Sequence, residues 1–252
     1  TLHNAKANGI ATRPLPAATD SLKIGEQHLD EVLITGSRAP LTAMQSAKIV
    51  EVISRDDIHR AVAQTINDVL KLATGVDVRQ RGGFGVQTDI SINGGTFDQI
   101  TILLNGMPLN SPQTGHNAAD FPVSLNDIDH IEVLEGAASR VLGTQAFSGA
   151  INIVTRQAGP TLYARAAGGS YGTAQAELRG LLRQQYANGN NLSSSLSASY
   201  QRSDGAVRNG DFKGGKAFWQ GRVDAPHYRI DAQAGFTQTD FGANTFYSTK
   251  ST

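Results

Sequence analysis

The sequence predicts a protein in two parts: an α+β domain built on a small mixed sheet with short helices, then antiparallel β-strands of a truncated transmembrane β-barrel. Three observations carry this. Two β-branched runs, Ile131 to Leu134 and Ile151 to Val154, flank a region punctuated by Gly136, Gly143 and Gly149, as short buried strands around tight turns would. Between residues 48 and 109, helix-capping signatures alternate with further apolar runs. After residue 160 the pattern changes to strict alternation of apolar and polar residues.

Taken in order, residues 1–29 carry Pro14 and Pro16 among Ala, Thr and polar residues, show no sustained period and read as a flexible arm. Residues 30–36 (DEVLITG) form a short β-prone segment isolated between two loose stretches. Such a strand either pairs within its own domain, the simpler expectation from the residues alone, or adds itself to a partner's sheet edge. Lys48 to Ile53 is the next strand. Ser54 with Asp57, and Thr65 with Asp68, are capping boxes opening short helices. Ile66, Val69, Leu70 and Ala73 lie on one face of the second helix, and Gly75 is expected to stop it. Val76 to Val78 is extended, and residues 80–87 (QRGGFGVQ) are expected to be a loop, too rich in glycine for a strand. Ile90 to Ile92 and Ile100 to Leu104 read as strands, the second apolar on both faces and therefore buried. Asn105-Gly106 signals a tight hairpin into Met107 to Leu109, and a polar loop follows over 110–120. Residues 137–142 have the composition of one helical turn.

In the second part, Leu192, Ser194, Leu196, Ala198 and Tyr200 share one face, with only Ser and Gln on the other. Tyr228, Ile230, Ala232, Ala234 and Phe236 alternate with Arg229, Asp231, Gln233, Gly235 and Thr237, and similar patterns surround Leu178 and Trp219. A soluble sandwich alternates in this way too. Connection lengths favour the barrel. Strands are expected near 161–170, 173–185, 191–203, 216–224 and 228–240, with short links at 186–190 and 225–227 and long ones at 204–215 and after 241, as periplasmic turns and outer loops differ, the tight first turn near Tyr171-Gly172 being the exception. Five strands do not close, because bacterial barrels need about eight or more, so the chain is expected to be a fragment.

Composition narrows the function classes. Twenty-two basic residues balance 22 acidic ones, so no nucleic-acid footprint is evident. There is no cysteine for disulfide or thiolate chemistry. Thr1 is not an initiator methionine and no leader follows it, so any signal peptide is expected to lie outside these residues. His3, His28, His59, His116, His130 and His227 are too dispersed for zinc spacing and read as surface or turn histidines. The Gly82-Gly83-Phe84-Gly85 run lacks the Gly-Lys-Ser/Thr ending of a phosphate loop, and no nucleophile elbow occurs. Asp56-Asp57, and Asp127 with Asp129, read as helix-start and turn residues rather than acid pairs. An enzyme is not expected.

Residues 30–36, 88–95 (TDISINGG), 102–109 (ILLNGMPL), and Gly143 with 147–155 (FSGAINIVT) resemble, in this order, the plug of TonB-dependent outer-membrane receptors. The resemblance implies a periplasmic arm at 1–29, a TonB box at 30–36, a plug at 37–160 and the first five barrel strands at 161–252. Asp30, Glu31, Val32, Leu33, Ile34, Thr35 and Gly36 would then pair with the C-terminal domain of TonB. Within the family the loop spacing is most similar to the vitamin B12 (cobalamin) receptor group, which implies that Arg81, Phe84, Gln87, Asn110, Gln113, His116 and Asn117 meet the ligand at the outward apex. A ferric siderophore or haem receptor would share all the plug motifs. The other partners implied are outer-membrane lipid, a small-molecule nutrient and a surface-exposed accessory lipoprotein, with no nucleic acid, no metal site, no cofactor, and cobalamin as cargo. The competing class is a plug-like binding module that transports nothing. Two positions depart from the family pattern: Asn93 and Glu135 stand where Arg is common, on surfaces expected to face the barrel wall, so no plug-to-wall salt bridge is carried over.

Overall fold

The structure is a computed structural model that describes residues 33–34, 41–42, 50–81, 87–96, 99–109, 120–135, 148–187 and 189–242. The expectations for 1–29, for the loop cores and for the helical turn at 137–142 lie outside these residues.

Local chemistry opens each helix. Ser54 Oγ accepts from the Asp57 N–H at 3.3 Å while the Asp57 carboxylate accepts from the Ser54 N–H at 3.2 Å, which starts α1, Arg55–Arg60. Thr65 and Asp68 repeat the arrangement at 3.2 and 3.1 Å for α2, Ile66–Leu70. Gly75 does not stop that helix as expected. The chain already tightens at Leu72 and Ala73, whose N–H groups bond to Val69 and Leu70 carbonyls three residues back, and Gly75 (φ +75°) serves the turn that follows. Ala73 is nevertheless buried with Ile66, Val69 and Leu70.

Two short strands, β1 (Leu33–Ile34) and β2 (Leu41–Thr42), pair antiparallel. Then β3 (Val50–Ile53), β4 (Val76–Arg81), β5 (Gln87–Ile92), β6 (Ile100–Leu104), β7 (Met107–Pro108), β8 (Ile128–Glu135) and β9 (Gly149–Thr155) complete the first part. The main sheet has the order β3-β8-β9-β6-β7, and it is mixed: β6 runs parallel to β9, aligning Ile102 with Ile151, whereas β8 and β9 are antiparallel. A parallel pair needs a long crossover, and residues 105–148 supply it. Asn105 and Gly106 both take positive φ, +52° and +79°, as a two-residue hairpin turn requires.

Every residue of β6 is buried. Ile100, Ile102 and Leu104 join Ile53, Ile58, Leu70, Ile92, Ile131 and Ile153 in one core beneath the helices, while Leu103 packs with Leu134 and Ala150 on the opposite face. A Cβ on Gly149 would lie 2.5 Å from the Leu134 carbonyl, so the start of β9 accepts no larger residue without backbone movement. The glycine-rich segment 80–87 proves partly strand. Gln80, Arg81 and Gln87 belong to the β4–β5 hairpin, paired as Gln80 with Thr88 and Arg81 with Gln87, because cross-strand pairing outweighs local glycine content up to residue 81.

The second part is an antiparallel sheet in sequential order: β10 (Leu162–Gly168), β11 (Ala174–Gln185), β12 (Asn191–Ser203), β13 (Phe212–Asp224) and β14 (Arg229–Phe241). β13 begins four residues earlier than the expected 216. Gly214 and Gly215 read as loop in sequence but pair with Gln201 and Tyr200 in the ladder. The register aligns one face across all strands, so that Leu178, Leu196, Trp219 and Phe236 point away from the first part and are exposed, Phe236 by 62%. The opposite face carries Arg179, Ser195, Ser197 and Gln220, all buried, Gln220 with 5% exposed. Polar groups inside and apolar groups outside reverse the soluble pattern and suit a wall bathed in lipid. Leu181 and Phe218 are apolar residues on this inward face; Phe218 joins the main core beside Gly235, where a Cβ would strike Pro122 at 2.7 Å. No closed barrel forms among the described residues.

Candidate ligand-binding site

The site is built where the two polar loops leave and rejoin the described fold. The β4–β5 register sets Arg81 beside Gln87 at the base of loop 82–86. Asn67 on α2 donates to Thr88 Oγ1 at 3.1 Å, so the helix braces that hairpin one residue below Gln87. The second loop rejoins at Asp120, whose Oδ2 accepts from Thr237 at 2.9 Å and Thr239 at 3.0 Å on β14, while Lys216 of β13 lies 3.3 Å from Oδ1. Between these fixed points lies a cavity of ≈ 100 Å³, lined by Gln64, Thr65, Asp120, Gln175, Gln201 and Lys216 among others. It sits at the long-loop end of the strands. It is smaller than the roughly 300 Å³ that enclose a drug-sized ligand, so by itself it has room for a few waters.

Of the residues expected to meet ligand, the side chains of Arg81 and Gln87, and all of Phe84, Asn110, Gln113, His116 and Asn117, lie outside what the structure describes. In the segment 30–36, Leu33 and Ile34 are described and pair with Thr42 and Leu41 of their own chain, while Asp30, Glu31, Val32, Thr35 and Gly36 lie outside.

Several contacts that join the two parts were not foreseen from the sequence. Asp127 does cap a turn, accepting from the Ser124 N–H at 3.0 Å. It is also buried against the wall, with Arg179 Nε of β11 at 3.5 Å and Ser197 Oγ of β12 donating at 2.9 Å. Asn105 donates to Gln233 Oε1 at 2.7 Å and accepts from the Thr155 N–H at 2.8 Å, and Gln233 donates back to the Leu104 carbonyl at 3.0 Å. Gln220 donates to the Arg156 carbonyl at 2.9 Å and accepts from Gln157 at 3.1 Å. The available signal was the inward parity of Arg179, Gln220 and Gln233, which marks them as lumen-facing without naming a partner. Ion pairs therefore do join plug and wall, through Asp120 and Asp127. Of the two departures from the family pattern, Asn93 is exposed in a left-handed turn (φ +49°), which Asn tolerates, and the Glu135 side chain lies outside the described residues.

His130 corrects the surface reading of the histidines. It is half-buried on β8, with Nδ1 2.8 Å from Asp129 and Nε2 3.3 Å from the fully buried Glu132. Burial alone would lower its pKa, but the hydrogen bonds and charges of Glu132 and Asp129 together raise it above the usual 6.5. A histidine that binds its proton more tightly when folded contributes stability that is complete below the unfolded value and is lost as pH rises through the folded one. The thermal midpoint should therefore fall as pH is raised from about 6 to about 8, and His130→Gln should flatten that part of the profile. An unchanged slope in the variant would remove His130 from the explanation.

Compared with known proteins, residues 42–150 match the family described as TonB-dependent Receptor Plug Domain. The chain is 33% identical over 131 residues to the vitamin B12 transporter BtuB of Vibrio cholerae serotype O1, which covers 52% of this chain and 21% of that protein. It is 28% identical over 176 residues to BtuB of Vibrio vulnificus, covering 70% of this chain and 28% of that one. The chain thus spans between a fifth and a third of the length of these curated relatives. In fold it is similar to the pyoverdine outer-membrane receptor FpvA of Pseudomonas aeruginosa PAO1, with a TM-score of 0.64 at 16% identity over 84% of this chain and 31% of that chain.

Proposed function

We propose that this chain serves energised uptake of a scarce, large nutrient across the bacterial outer membrane, with cobalamin the favoured cargo; in support, residues 42–150 match the TonB-dependent receptor plug family and the strands that follow share the fold of an outer-membrane receptor. The observation that carries this reading is the two-faced wall. Polar side chains on the inner face of β11 to β14 hydrogen-bond to the plug, while apolar side chains on the outer face stand exposed. That arrangement is stable when the outer face meets hydrocarbon and the inner face encloses a polar stopper.

In this reading the arm and residues 30–36 hang into the periplasm, the long-loop end opens outward, and ligand seats on loops 82–86 and 110–119. Arg81, Phe84, Gln87, Asn110, Gln113, His116 and Asn117 then offer hydrogen bonds and one aromatic face to an amide-rich molecule. TonB adds a strand to the segment 30–36 and pulls, and the plug rearranges. Cobalamin is preferred because both curated relatives above are named as vitamin B12 transporters.

The test is equilibrium binding of cyanocobalamin to the purified protein in detergent, beside a ferric siderophore and haem. Tightest binding of cobalamin supports the assignment, whereas preference for a ferric chelate or haem replaces it. A protein that stays soluble without detergent and shows no heat-modifiable migration on a gel would be a binding module that moves nothing.

A further inference from the structure

At the long-loop end of the wall, the tight turn between β10 and β11 holds a residue that its backbone does not favour. Tyr171 (φ +57°) and Gly172 (φ +63°) form a two-residue hairpin loop, closed by the Thr173 N–H donating to the Ser170 carbonyl at 3.2 Å. Among the described residues, the other non-glycine positions with positive φ are all asparagines: Asn93, Asn105 and Asn209. A bulky side chain there crowds its own backbone, a strain that Asn eases and Gly avoids. The turn is pinned to β12, because the Asp204 N–H donates to the Tyr171 carbonyl at 2.7 Å and a Cβ on Gly172 would collide with the Asp204 carboxylate. Tyr171 is 61% exposed, so little packing within the fold offsets the strain.

A second unfavourable feature adjoins it. Along β12, Arg202 continues the outward face of Leu196 and Tyr200, and the ladder sets it directly opposite Lys213, which continues the outward face of Trp219 on β13. Like charges opposite one another destabilise a sheet. Each has one carboxylate, Asp204 at 2.6 Å from Arg202 and Asp240 at 3.4 Å from Lys213, in exposed pairs that contribute little. Arg202 commits only Nη2 to Asp204, which leaves the rest of its fork open. Asp204 thus joins the strained turn to the basic pair, and both stand just beyond the exposed apolar band.

We propose that Tyr171, Arg202 and Lys213 form a contact site for the phosphorylated headgroup of an outer-leaflet lipid. The site rests on the reading of the wall as membrane-spanning and is independent of the cargo. A phosphate between the two cations relieves their repulsion and accepts charge-assisted hydrogen bonds from the open fork. A tyrosine at headgroup depth sets its ring against the acyl boundary while its hydroxyl stays in water, which gives the strained position a purpose that Asn would not serve. Lipid is favoured over a free anion because Leu178, Leu196, Tyr200 and Phe236 stand exposed on the same face below, where acyl chains attached to the headgroup would lie.

The experiment is native mass spectrometry of the protein released from detergent micelles that contain diphosphorylated lipid A, with phosphatidylcholine as the comparison lipid. Wild-type protein should retain lipid A in preference, with retention weakened about fivefold in Arg202→Gln and about thirtyfold in Arg202→Gln/Lys213→Gln. Equal retention by wild type and the double variant, or equal retention of the two lipids, overturns the site. Inorganic phosphate at matched ionic strength should not displace lipid A; displacement would overturn the lipid assignment in favour of a free anion. Tyr171→Asn should keep or raise the thermal midpoint in lipid-free detergent while its retention of lipid A falls. A lower midpoint, or undiminished retention, overturns the part given to Tyr171. Solubility without detergent would sink the membrane-spanning wall and this site together, whereas equal retention by a detergent-dependent protein sinks the site alone.

Discussion

Leu33→Pro should abolish energised uptake while leaving ligand binding at the cell surface intact. Leu33 lies in β1, whose two residues pair with Leu41 and Thr42. So short a ladder opens at little cost, which leaves its main-chain groups available for an incoming strand. Proline removes the Leu33 N–H and fixes φ, so a partner strand that bonds to that donor loses a rung it cannot recover elsewhere. Leu33→Ala is the control, because it alters the side chain and keeps the donor. Uptake should fall to the level of cells lacking TonB for the proline variant alone. Wild-type uptake by Leu33→Pro would show that residues 30–36 are not where TonB pairs.

The second large effect is expected at the plug-to-wall contact. Arg179 and Asp127 have side chains only 3% and 5% exposed, with Nε and Oδ1 3.5 Å apart. Replacing Arg179 by Met keeps most of the volume but strands the Asp127 carboxylate with its hydroxyl and backbone donors. Breaking a buried pair in this way costs about 3–5 kcal/mol. Urea-dependent proteolysis of the plug should register that loss as a lower midpoint. The double variant Asp127→Asn/Arg179→Met should cost less than the two single changes added together, because the uncompensated charge has gone with its partner. Strict additivity would mean that the two groups do not interact.

Both effects separate what was legible from what was not. The capping boxes at Ser54 and Thr65 were readable because their partners lie three residues away. The Asn105-Gly106 turn needed only two adjacent residues that accept positive φ. The wall strands were readable because a period of two repeats along each of them, and their observed bounds follow the expected ones except at β13. Glycine misled at 214–215, since propensity ranks it as a breaker while a ladder tolerates it where a neighbouring strand pairs with its backbone, and at 80–87 the strands reach Arg81 and Gln87 on either side of the glycines.

The sequence by itself determined the order of elements, the two faces of the wall and the family resemblance, because each is written in neighbours a few residues apart. Only the tertiary structure decided which inward polar residue meets which plug residue. Asp120 reaches Thr237 across 117 positions and Asp127 reaches Ser197 across 70. Parity says that a side chain points inward. What it meets there depends on how the plug sits against the wall, and that is settled by packing Phe218 into the core and bringing Pro122 against Gly235, contacts that no local pattern encodes.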